Sequence, residues 1–173
     1  MTQPELIELS QPDFVTIDTV GPPGQRTFYL QAAQDDVLIT LIIEKEQAAA
    51  MSLAISGMLE KLGEAEEDVE SPDLGLIQPV DPLFHVGRLG LAYDETRDML
   101  VITAEDLAPQ KQVPRAKVQI WIDRAQMATL AHQAAVAVRS GRPVCPLCGE
   151  TIDLGEKHIC VRGNGRKHAG ESA

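Results

Sequence analysis

Residues 41–47 read LIIEKEQ and residues 120–126 read IWIDRAQ. Laid over each other at a separation of 79 residues, apolar meets apolar three times, then acid meets acid, base meets base, and Gln meets Gln. A β-branched run that ends on an acid predicts the end of a strand and the start of a helix. Asp123 is placed to accept from the free N–H groups of a first helical turn while Gln126 reaches back, and Glu44 with Gln47 forms a weaker version of the same capping box. Negative charge there is also favoured by the helix macrodipole. The repeated acid-base-x-Gln therefore predicts two helix caps rather than a catalytic pair used twice, and it predicts an internal duplication.

Working outward, "DFVTIDTV" (13–20) alternates and is followed by "GPPGQR", a strand and a turn. "TFYLQAA" (27–33) and "VLITLIIE" (37–44), separated by "QDD", supply two more strands of an antiparallel meander. From Lys45 to Leu62 the period becomes helical, with Ala48, Met51, Ile55, Met58 and Leu62 on one stripe. The polar stretch "GEAEEDVESPDLGLIQPVDP" (63–82) predicts an exposed connection. The plan then repeats: "FHVGRLGLAYD", "DMLVITAED" and "AKVQIWID" as strands, and a helix over 124–140. The fold expected is α+β: two β-β-β-α pseudo-repeats, residues 12–63 and 83–141 within a domain 1–141, with antiparallel sheet packed by helices. A zinc-ribbon-like hairpin over 142–165 and a flexible tail over 166–173 complete the expected organisation.

The chain has 173 residues and a net charge of -11, which excludes a chain-wide nucleic-acid surface because phosphate binding needs clustered bases. Acid concentrates between Glu64 and Asp73, whereas residues 139–173 hold six bases against four acids. Aromatics at 3% argue against a stacking platform for bases. No apolar run approaches the roughly 20 residues of a membrane span. The N-terminus, "MTQPELIELSQPDF", has neither a basic nor an apolar leader region, so a cytoplasmic protein is expected.

All three cysteines lie in "RPVCPLCGETIDLGEKHIC" (142–160). Cys145 and Cys148 form a C-x2-C followed by Gly149, a turn in which two thiolates face one cation while backbone N–H groups point at their sulfurs. His158 and Cys160 bring the set to Cys3His, the four donors of a closed tetrahedral zinc site. His168 is a substitute ligand. "GETIDLGEK" suits a miniature hairpin with Gly155 in its turn. So short a segment has almost no core, so structural zinc would supply much of its folding free energy, about 10 kcal/mol or more in small peptides. Arg142, Lys157 and Arg162 offset the resulting negative charge of the site. A thioredoxin-like pair belongs at a helix start after a strand, and this one follows a helix and a Gly-Arg-Pro break. A disulfide would leave one cysteine over and would be out of place in an unexported protein.

The combination of "FYLQAA", "EKEQAAAM", "GRLGLAYD", "GRPVCPLCG" and a closing H-x-C-x-R-x-N-G resembles a bacterial family of conserved repeat proteins that share a domain of unknown function. The resemblance covers nearly the whole chain, and the Cys-Pro-x-Cys-Gly end is its most specific part. It implies no established activity, and it implies genes encoded near a histidine-phosphatase-like and a phosphoinositide-kinase-like protein. Cys145, Cys148, His158 and Cys160 match the metal positions it implies. Lys157 stands where the family pattern has Gly, and Val161 where it has Pro.

Other signatures are missing. There is no phosphate-binding Gly-rich loop before a helix, no G-x-S-x-G and no H-E-x-x-H. His85 and His132 lie singly and are expected to be packed or surface residues. The leading expectation is a zinc-containing protein without catalytic residues that presents a binding surface to a protein partner. An enzyme with a site at the pseudo-twofold seam, built from Gln31, Glu44, Lys45, Asp123 and Arg124, is the alternative. A third class is nucleic-acid binding through the ribbon and "RGNGRK". Substrate, pathway and oligomeric state have no signature in the sequence.

Overall fold

A computed structural model of the chain describes residues 5–64, 74–107, 115–140, 145–150, 158–160, 162 and 167–168. The elements in order are β1 (Leu6–Leu9), β2 (Phe14–Val20), β3 (Thr27–Gln34), β4 (Val37–Ile43), α1 (Lys45–Lys61), β5 (Phe84–Asp94), β6 (Met99–Asp106), β7 (Lys117–Ile122) and α2 (Arg124–Arg139), followed by the short pair β8 (His158–Ile159) and β9 (Lys167–His168). Contacts divide the chain into two compact units, residues 1–20 with 27–138, and residues 21–26 with 139–173. Among the described residues no helix is long and apolar enough to cross a membrane.

The larger unit is a mixed α+β structure built on one seven-stranded sheet, in the order β1-β7-β6-β5-β4-β3-β2. Pairing is antiparallel within β2-β3-β4 and within β5-β6-β7, as the turn signals predict. The joints are parallel: Leu41 faces Phe84 between β4 and β5, and Ile120 faces Leu9 between β7 and β1. At the β4-β5 joint the strands are linked through α1 and residues 62–83, and only a crossover of such length lets consecutive strands run the same way. The fully antiparallel sheet expected from the sequence is therefore a mixed one.

Strands β1 and β2 stand at opposite ends of the sheet order yet are joined by residues 10–13 alone. Laid flat, seven strands at about 4.8 Å spacing put their outer members about 29 Å apart. The five Cα steps from Leu9 to Phe14 reach at most about 19 Å. The sheet must curl until its ends approach, and β1 comes into contact with β3 near the opposite end of the strand order.

Alternation puts Ile17, Leu30, Leu41, Leu100, Ile102, Ile120 and their neighbours on the inner face. There they form one cluster with Met51 and Ile55 of α1 and Met127 and Leu130 of α2. The two helices meet inside this cluster, where the buried Ser52 hydroxyl donates to the Ala131 carbonyl at 2.9 Å. Both helix starts carry the expected capping box. Each capping Gln also reaches a third place: Gln47 Nε2 donates to the Val86 carbonyl at 3.3 Å and Gln126 Nε2 to the Pro12 carbonyl at 2.7 Å.

The outer face of β2-β3-β4 holds a row of polar residues in register, Thr16, Gln31 and Thr40, exposed by 0%, 0% and 2%. Residues 74–77 cover it. Thr16 donates to the Leu74 carbonyl at 2.7 Å, and the Gln31 amide holds the main chain of Ile77 at two points, donating to its carbonyl at 3.1 Å and accepting from its N–H at 2.7 Å. Gln31 also donates to Thr40 at 3.0 Å, so its burial leaves the amide satisfied.

Candidate metal centre

The Cys-Pro-Leu-Cys-Gly run folds into a knuckle. The Gly149 N–H donates to the Cys145 carbonyl at 2.9 Å and the Cys145 N–H to the Glu150 carbonyl at 2.8 Å, which closes the loop from both sides. Gly149 has φ +75, the left-handed conformation that glycine adopts without penalty and that the turn requires. With the loop so shaped, the N–H groups of Cys148 and Leu147 point at the Cys145 sulfur and the N–H of Glu150 at the Cys148 sulfur.

His158 and Cys160 come from the strand β8 and the residue after it, and β8 is held by antiparallel pairing of His158 with His168 and Ile159 with Lys167. The ligand atoms of Cys145, Cys148, His158 and Cys160 all lie within 4.8 Å of one another. Two sulfurs at about 2.3 Å from one tetrahedral zinc are about 3.8 Å apart, so a small contraction fits all four donors to a single ion. Cys148 Sγ and His158 Nε2 are 3.2 Å apart, so Nε2 is the imidazole nitrogen that faces this sulfur. Cys145 and Cys160 are buried at 1% and 0% exposure, while Cys148 and His158 are half-buried. None of the three cysteines is in a disulfide.

The electrostatics follow from this arrangement. The N–H groups of Cys148 and Leu147 favour the charged form of Cys145 and hold its thiol down to about 6, against the opposing effect of burial. At Cys148 the Glu150 N–H also favours the thiolate, but burial and the neighbouring sulfurs of Cys145 and Cys160 outweigh it and raise the thiol. A divalent cation at the centre of the cluster would offset the negative charge that its thiolate ligands bring. The donor set, three sulfurs and one nitrogen, suits a soft or borderline metal ion rather than calcium or magnesium.

Residues 151–157 and the flanking bases Arg142 and Lys157 lie outside the described residues, as does the miniature hairpin expected there; Arg162 is exposed. His168 pairs through its backbone with His158, and its side chain also lies outside the description.

The five residues of the seam reading have separate engagements. The Gln31 amide is held by Thr40 and Ile77, and Glu44 and Asp123 cap their helices. Arg124 donates to Asp98 at 2.8 Å and to Glu64 at 3.0 Å, and Lys45 is exposed. None of the hydrogen bonds or ion pairs among the described residues joins two of the five. Sequence reasoning did not foresee that Glu44 also meets His85, at 2.6 Å from Oε1 to Nε2. His132 is exposed.

A search of curated proteins and a search of solved structures returned no match. The family described as "Protein of unknown function (DUF3090)" matches residues 7–160, nine-tenths of the chain, which therefore belongs to that family.

Proposed function

We propose that this is a zinc-binding accessory protein in which Cys145, Cys148, His158 and Cys160 hold one structural Zn²⁺ and the α+β body presents a surface to a protein partner. The convergence of four ligand atoms within 4.8 Å carries the reading. Four protein donors close a tetrahedral shell and leave no position for substrate, the arrangement of a structural site. With three thiolates and one neutral imidazole the loaded site carries a charge of about -1, tolerable where two ligands are half-buried.

In this reading the body, residues 1–141, is a duplicated unit with halves 12–63 and 83–141, residues 142–165 are the zinc module and residues 166–173 its tail. The register supports the duplication. Leu41 stands between Leu30 and Phe84 as Ile120 stands between Ile102 and Leu9, and Gln47 and Gln126 make matching three-way ties. The hydrogen bond from Ser52 to Ala131 links helix positions 79 residues apart, the same separation that aligns the two capping boxes.

Elemental analysis of protein prepared with zinc present should give one equivalent of zinc per chain. Well under half an equivalent, or a Cys145–Cys148 disulfide under reducing conditions, would sink the reading.

A further inference from the structure

The outer face of β5-β6-β7 carries the row Gly90, Thr103 and Gln119, in register as Thr16, Gln31 and Thr40 are in β2-β3-β4. The two rows take the same place relative to the core, since each lies one residue off the inner-facing Leu30 and Leu41 or Ile102 and Ile120. The first row is covered by residues 74–77 and fully buried; in the second, Gly90 is exposed and Thr103 and Gln119 are half-buried. Among the described residues neither Thr103 nor Gln119 has a side-chain hydrogen-bond partner, and an added Cβ at Gly90 would meet only Thr103, at 3.9 Å.

We infer that this second row is a docking site for an extended, aliphatic segment of a partner protein carrying an acidic residue on one flank. The inference rests on the interaction-protein reading above and gives it a location. The first row shows how such a surface holds a chain: a Gln amide grips the N–H and carbonyl of one residue, and a neighbouring hydroxyl takes another carbonyl. Gln119 and Thr103 offer the same amide and hydroxyl side by side. Gly90 leaves the sheet floor open where Thr16 stands in the covered row.

The flanking rows set the preference. On one side lie Ala92, Val101 and Trp121, an apolar strip whose indole is fixed by a hydrogen bond to Glu8 at 3.0 Å and by Arg97 stacked at 4.5 Å from the ring centroid. It suits an aliphatic side chain, like the Leu-Gly-Leu-Ile sequence that covers the first row. On the other side lie Arg88, Glu105 and Lys117. Glu105 and Lys117 pair with each other at 3.7 Å, which leaves Arg88, exposed and without an ion-pair partner among the described residues, to receive a carboxylate. Backbone capture by side-chain amides gives affinity, and the side-chain strips give selectivity.

The test is selection of random linear peptides on phage against the full-length, zinc-loaded chain, followed by affinity measurement with the enriched peptides made synthetically. Aliphatic peptides with an acidic residue should emerge. They should lose at least tenfold in affinity on Gly90→Val and on Gln119→Ala, keep it on Cys148→Ser, and shift the backbone amide resonances of residues 90, 103 and 119. Thermal unfolding of the two sheet variants checks that they fold. No enriched peptide, or peptides that bind both variants as they bind the parent, overturns the inference. Self-association of the chain that Gly90→Val abolishes would assign the face to a second copy and overturn it too. Zinc stoichiometry is read separately, so the metal assignment stands or falls on its own measurement.

Discussion

Ser52 and Ala131 touch at the crossing of the two helices, the hydroxyl of one donating to the main-chain carbonyl of the other at 2.9 Å. Small side chains let the helix backbones come this close, and Ser52 is only 9% exposed. Ser52→Ala should cost about 1 kcal/mol, the net worth of one buried hydrogen bond. Ser52→Leu should cost more, about 1–3 kcal/mol beyond that, because the extra volume must push the helices apart. Urea unfolding of both variants checks the order, and a leucine variant as stable as the alanine one would mean that the crossing has spare room.

Gly87 sits at the register shift between Val86 and Arg88 of β5, where the chain leaving β6 crosses it. A Cβ there would lie 2.6 Å from the Leu107 Cα, and Leu107 is tied down by its N–H bond to the His85 carbonyl at 2.8 Å. Backbone has to move to admit even a methyl group. Gly87→Ala should therefore destabilise by about 1–3 kcal/mol, whereas Gly90→Ala, three residues along the same strand with open space, should stay within about 0.5 kcal/mol of the parent. Equal effects at the two sites in thermal unfolding would refute the close approach.

The two predictions differ in how far the sequence announces their causes. Strand and helix periods and the acid-x-x-Gln caps are local, so both meanders and both helices were legible, and so was the Cys3His set, because its donors lie within sixteen positions. Strand β1 was not: Leu6–Leu9 is a short apolar-acid mixture whose partner, Lys117–Ile120, lies at the other end of the fold. Thr16 and Gln31 alternate as solvent-facing residues do, and only the covering segment at 74–77, distant in sequence, makes them buried. The parallel joints were hidden for the same reason, since register between non-adjacent strands is set by the curled sheet and not by any single run of residues.

Asp98 accepts hydrogen bonds from Tyr93 and from Arg124, and these hold its carboxyl below the usual aspartate range. A carboxyl with a lower pKa folded than unfolded contributes stability above the unfolded value of about 3.9 and loses it as pH falls through the folded value. Asp98→Asn should therefore lower the melting temperature slightly at pH 7, and the difference from the parent should close as pH falls below about 4. A difference that stays constant down to pH 2 would show that the carboxylate's charge is not what the network uses.

Cys148→Ser tests whether the metal module and the body fold independently. The body has its own core, in which both helices and the inner face of the curled sheet form one apolar cluster. The cysteines form a separate small cluster, Cys145 and Cys160 with Cys148 packed against them, which has too little apolar surface to hold itself together. Removing one thiolate leaves three donors and should abolish stoichiometric zinc binding. Circular dichroism should then lose no more signal than the module's own residues account for, and urea unfolding of the body should keep its midpoint. Chelation of zinc from the parent protein should reproduce the variant's spectrum. If instead metal loss takes the helical signal of α2 with it, the C-terminal end of that helix depends on the module, and the body's stability has to be counted as zinc-linked.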